Sequence, residues 1–189
     1  MYGLEQRLKN IVDRVVFRLD IAAIEVQRNL ALKADNPISA IKCAADIDQP
    51  YFLKKWWPKM THEEKKQMIV KVWFNHISCA VFGYDWWLPL FKECGFITNC
   101  NIEKPLDEIK LYRAIEPNET YIRGMSWTPD LGMAKFVQSF NKEAKIYTTV
   151  VQPEFVLAIL EGFPRGVCLL EYVIDYRGLG EVNEYKDKG

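Results

Sequence analysis

The chain has 189 residues, nearly half of them hydrophobic, and its 25 basic side chains balance 25 acidic ones. This length holds one large domain or two small ones and is enough to bury roughly two-thirds of the unfolded surface. Zero net charge removes bulk electrostatics as an argument for nucleic acid or membrane binding and leaves only local patches. The five cysteines, Cys43, Cys79, Cys94, Cys100 and Cys168, show no CxxC spacing, so neither a zinc site nor a disulfide framework is expected. Met1 to Asp20 is charged and amphipathic rather than a signal peptide. No run reaches the roughly 18 apolar residues of a membrane span. A soluble protein of a reducing cytoplasm is the expectation.

From the N-terminus, Leu4, Leu8, Ile11, Val12, Val15 and Leu19 recur at helical spacing, and the stripe runs on through Ile24 and Leu30. One long helix ending near Asn36-Pro37 is predicted, then a short helix carrying Ile38, Ile41 and Ala45. Phe52 to Lys59 interleaves aromatics with lysines. Such a stretch suits single-stranded nucleic acid, or else a helix end with core tryptophans and solvated lysines. Five of the six tryptophans fall between Trp56 and Trp87. Thr61-His62-Glu63-Glu64 is a capping-box signature. It opens a helix with Met68, Ile69, Val72, Trp73 and Ile77 on one face. A further helix covers about 85–94, with Gly95 placed to stop it. His62 and His76 are the only histidines and lack metal-ligand company, so no metal is expected.

The texture changes near Thr98, and 99–105 reads as a connector. Leu111–Ile115, Ile146–Val151 and Cys168–Asp175 are rich in Val, Ile, Tyr and Leu and read as strands. Pro129–Phe140 and Pro153–Leu160 each place proline at a helix start. The predicted architecture is α+β: a helical N-terminal half (1–98) packed on a mixed β-sheet C-terminal half (99–189).

Three groups in the second half suggest chemistry. Arg113 closes Leu111-Tyr112 at a strand end, and its fork suits a phosphate. Ser126-Trp127-Thr128 leads into a helix that Thr128 could cap. Glu171 opens the run Glu171-Tyr172-Val173-Ile174-Asp175. Its rival is Glu161, placed at the end of a Val156–Leu160 helix and so less firmly held than a strand residue. Taken singly, Arg113 reads as a salt-bridged arginine, Ser126-Trp127-Thr128 as a strand running into a helix cap, and Glu171 as an edge charge.

Together, in the order Arg, Ser-x-Thr, Glu, they resemble the Arg-Ser-Glu (cholera-toxin-like) class of mono-ADP-ribosyltransferases. Leu111-Tyr112-Arg113-Ala114 is similar to the class's arginine strand. Gly124-Met125-Ser126-Trp127-Thr128-Pro129-Asp130 with Ala134 and Phe136 is similar to its Ser-x-Ser/Thr strand and following helix. The Ala134-x-Phe136 spacing differs from the Ala-x-x-Phe of small bacterial and phage-borne members. The resemblance spans about 111–175 and leaves the first hundred residues unexplained.

It implies NAD as substrate, Glu171, Arg113 and Ser126 as catalytic residues, and Arg113, Ala114, Ser126, Trp127, Thr128 and Phe136 around the dinucleotide. Whether Trp127 faces NAD or the core stays open. The implied acceptor is a protein or nucleic acid, and the implied setting is that of a phage effector in a host cytoplasm. Leu169 stands where arginine-modifying members carry glutamate, which argues against arginine as the acceptor. Two other readings remain: a degenerate binding module acting through the aromatic-rich N-terminal half, and an NAD glycohydrolase.

Overall fold

The computed structural model describes residues 21–75, 82–117, 119, 121–162 and 169–186. The chain divides into two compact units, Met1–Leu90 and Phe91–Gly189. Among the described residues the class is α+β, with six α-helices and two sheets.

In the first unit, α1 (Ile21–Lys33) stops short of Asn36-Pro37. The continuous stripe from Leu4 to Leu19 lies outside the described residues. Leu30 is exposed, and the buried position of α1 is its neighbour Ala31. The expected core stripe therefore does not continue through Leu30. Helix α2 (Pro37–Cys43) begins where Asn36 accepts a hydrogen bond from the Ser39 N–H at 2.8 Å, with Pro37 supplying the fixed φ of a first turn. It ends before Ala45. Helix α3 (Gln49–Trp56) runs into a single 3-10 turn at Trp57–Lys59 and buries Phe52 and Leu53.

The capping box forms. The Thr61 N–H donates to Glu64 at 2.8 Å, and the Glu64 N–H returns to the Thr61 hydroxyl at 3.3 Å. It opens α4 (His62–Trp73), whose Met68, Ile69, Val72 and Trp73 are buried. Ile77 and His76 lie outside the described residues. Trp73 meets Trp87 edge to face at 5.3 Å between ring centroids. Trp87 belongs to α5 (Tyr84–Cys94), within which the two units divide. Gly95 follows at φ +69, a left-handed position that suits a helix stop.

The second unit holds both sheets. Strands β1 (Ile97–Thr98), β5 (Val156–Gly162), β6 (Leu169–Ile174) and β3 (Ser126–Trp127) form one sheet in that order. The other is β2 (Ile109–Ile115), β4 (Lys145–Val151) and β7 (Asn183–Glu184). Among the described residues the sheets are joined by one bridge, in which Tyr112 and Thr128 exchange backbone hydrogen bonds of 2.7 and 2.9 Å. Helix α6 (Leu131–Ser139) packs on β2 and β4.

One expectation is corrected here. Pro153–Leu160 is not a helix: after one 3-10 turn at Pro153–Phe155 the chain becomes β5. Val156-Leu157-Ala158-Ile159-Leu160 is buried at every position, because β5 lies inside its sheet and is covered on both faces. Such a continuous apolar run looks the same for a buried strand and a buried helix. The 99–105 segment is a connector as expected, without helix or strand, and it is tied down at its start. Asn99 accepts from the Glu161 N–H at 2.7 Å and donates to the Glu161 carbonyl at 2.8 Å, continuing the β1–β5 pairing through a side chain.

Candidate functional site

Strand register decides which candidate side chains can meet. In the antiparallel β3–β6 pair, Ser126 stands opposite Val173 and Trp127 opposite Tyr172. Side chains opposite each other share a face, and the next residue but one along a strand returns to it. Ser126 and Glu171 therefore lie on one face as diagonal neighbours, with Cβ atoms on the order of 7 Å apart, within reach of a glutamate side chain. Both are partly buried.

Glu161 is excluded from that face. It is strand-borne like Glu171, so firmness of support does not separate the two as expected. Its partner on β6 is Leu170, whereas that of Glu171 is Leu160. The pleat sends Glu161 to the opposite side from Ser126.

Trp127 points the other way from Ser126, into the core cluster with Leu111, Ile159, Tyr172 and Ile174. It is 2% exposed, and its indole N–H donates to the Gly124 carbonyl at 2.7 Å. The expectation of Trp127 as a dinucleotide contact is corrected: the ring is a core residue that pins the turn before Ser126. Burial, with the nearby Cys100, holds the Tyr172 phenol above its ordinary pKa and hence neutral near pH 7.

Arg113 is 8% exposed and lies on the Leu111 and Ile115 side of β2. Its Nη2 donates to the Glu119 carboxylate. Its guanidinium fills the place a side chain on Gly124 would take, for a Cβ there would fall on top of Nη1. Arg113 is thus brought against the turn that leads into Ser126, but through its backbone. The structure places it in a part-buried ion pair with Glu119. Neither Glu119 nor the role of Gly124 was anticipated from sequence. A glycine two residues before a motif serine is the one signal that could have pointed there.

Thr128 makes the bridge to Tyr112, and its hydroxyl accepts from the Asp130 N–H at 3.2 Å. The cap of α6 is Asp130, which accepts from the Gly132 N–H at 2.7 Å. Thr128 is therefore not the helix cap. Phe136 is half exposed on α6 and packs edge to face on Phe140 at 4.9 Å. Ala114 is partly buried on β2.

A shallow hollow of about 250 Å³ is lined by Lys110, Thr148, Thr149, Val150, Gly180, Glu181 and Asn183. None of the expected site residues lines it. Among the described residues, no three His, Cys, Asp or Glu side chains gather as a metal site, and no helix is long and apolar enough to cross a membrane.

No protein-family model matches this chain, and neither the curated proteins nor the solved structures contain a match to it. The resemblance to ADP-ribosyltransferases therefore rests on the motif residues of the sequence.

Proposed function

We propose that the Phe91–Gly189 unit carries an NAD-dependent mono-ADP-ribosyltransferase site. The observation that carries this reading is strand order. The strands bearing Arg113, Ser126 and Glu171 lie side by side as β2, β3 and β6, although some 13 and 45 residues of chain separate the motifs. Breaking the nicotinamide–ribose bond expels neutral nicotinamide and leaves an oxocarbenium-like ribose carbon. A carboxylate fixed beside that carbon stabilises the developing charge. Glu171 fills this role and accepts a ribose hydroxyl. Ser126, on the same face, orients it. Arg113 grips the pyrophosphate by exchanging the Glu119 carboxylate for a phosphate oxygen. The acceptor, a protein or nucleic acid, then supplies the nucleophile and gives up a proton.

Two observations support other readings. Leu169 offers no second carboxylate to activate an acceptor, which favours water and hence glycohydrolase activity. The Arg113–Glu119 ion pair favours a binding module in which the arginine is structural. Labelled NAD incubated with a bacterial lysate and the protein, beside its Glu171→Gln variant, tests all three. Transfer that the variant loses supports the proposal, and nicotinamide release without label on any macromolecule supports hydrolysis. Undiminished turnover by the variant removes Glu171 from the chemistry.

A further inference from the structure

The Met1–Leu90 unit has a charge balance unlike that of the chain as a whole. Between residues 49 and 73 there are six lysines and two glutamates, a local excess of +4 in a chain of net charge zero. Both glutamates are committed at the start of α4: Glu64 closes the capping box with Thr61, and Glu63 pairs with Lys66 at 3.6 Å.

One lysine of α3 and the lysine of the turn after it rest on aromatic rings. Lys55 Nζ lies 6.0 Å from the Tyr51 ring centre and 5.9 Å from that of Phe52, and Lys59 Nζ lies 5.1 Å from Trp56. In α4, Lys65 Nζ lies 5.3 Å from Trp57. A ring face orients an ammonium group without neutralising it, so the positive charge stays available to an anion.

Helical spacing does the rest. Tyr51, Lys54 and Lys55 fall at i, i+3 and i+4, which gathers them on one face, while Phe52 and Leu53 are buried. Tyr51 is 57% exposed, the most exposed aromatic ring of this helix and turn. An exposed ring with ammonium groups on its own helix face provides what a single strand of nucleic acid uses: a stacking surface for a base and cations for the phosphates. An acidic protein would use the charges but not the ring.

We propose that this face of α3 and the following turn, centred on Tyr51, Lys54, Lys55 and Lys59, binds single-stranded nucleic acid. The site belongs to the first unit and does not depend on the chemistry proposed for the second. The test is fluorescence anisotropy of the full chain with a labelled oligothymidylate, repeated with inorganic polyphosphate as competitor. The comparison uses the wild type, a Lys54→Glu/Lys55→Glu/Lys59→Glu variant and Tyr51→Ala.

The wild type should bind the oligonucleotide, with log affinity falling against log salt at a slope of about −2 for three phosphate contacts. The triple variant should weaken binding at least tenfold. Tyr51→Ala should weaken the oligonucleotide severalfold while leaving polyphosphate competition unchanged, because only the base needs the ring. All four side chains are exposed, and thermal melts that match the wild type would verify folding. Binding that ignores the triple charge reversal would overturn the proposal, as would no binding at low salt. Equal losses for oligonucleotide and polyphosphate in Tyr51→Ala would reduce the site to a general anion surface and refute nucleic-acid recognition. Loss of NAD turnover in Glu171→Gln bears on none of these outcomes.

Discussion

Gly124→Ala is the sharpest perturbation the structure offers, because the new methyl group would land on the Arg113 guanidinium. Among the described residues, only Gly83 and Gly95 have a left-handed φ, so alanine at 124 meets no backbone strain and acts through that collision alone. Arg113 has little room to yield, with only 9% of its side chain exposed and Glu119 holding one end. Overpacking costs about 1–3 kcal/mol and disrupting the part-buried ion pair adds to it. Alanine also restricts the unfolded chain, which offsets up to about 1 kcal/mol.

The expected net loss is about 2 kcal/mol, or roughly 1 M in the urea midpoint at a slope near 2 kcal/mol/M. The double mutant supplies the sign test. With Arg113→Ala the space is vacated, and adding Gly124→Ala should then be neutral or stabilising, a coupling of about 2 kcal/mol. Urea unfolding of the four proteins measures it. A Gly124→Ala midpoint equal to the wild type would refute the packing argument, and so would the same cost in both backgrounds. If Arg113 also serves NAD, Gly124→Ala should weaken NAD binding while leaving Glu171 in place.

Two further outcomes follow from the packing. Asp175 is 4% exposed. Burial alone would raise its pKa, but hydrogen bonds from Lys92 at 2.5 Å and from Arg177 outweigh that and leave it below the ordinary carboxylate value. A depressed folded pKa means stability that is present above the unfolded value near 4 and is lost as pH falls through the folded one. Asp175→Asn should therefore destabilise the protein by about 2 kcal/mol at pH 7. The gap to the wild type should narrow as pH falls through the lowered folded-state pKa of Asp175; a gap independent of pH in thermal melts would contradict this. Thr61→Ala should cost about 1 kcal/mol through loss of the reciprocal cap, and hydrogen exchange should show faster opening of the first turn of α4 than in the wild type.

Local chemistry made much of this chain legible without coordinates. Thr61 and Glu64 satisfy each other's backbone donors within one turn, Gly95 stops α5 at a positive φ, and the Val- and Ile-rich runs around Arg113, Tyr147 and Tyr172 pair as strands. The cap, the helix stop and the strand character of each run need only residues within a few positions of one another, although the pairing itself does not. Tertiary structure decided the rest. Val156–Leu160 became a strand rather than a helix because neighbours on both sides and cover on both faces accept an unbroken apolar run. The same register turned Trp127 inward, set Glu171 rather than Glu161 beside Ser126, and lodged Arg113 against Gly124 and Glu119. Residue types alone nominated the arginine, serine and glutamate. Only pairing between distant strands could say which of them share a face, because a shift of one residue sends every side chain to the opposite side of a sheet.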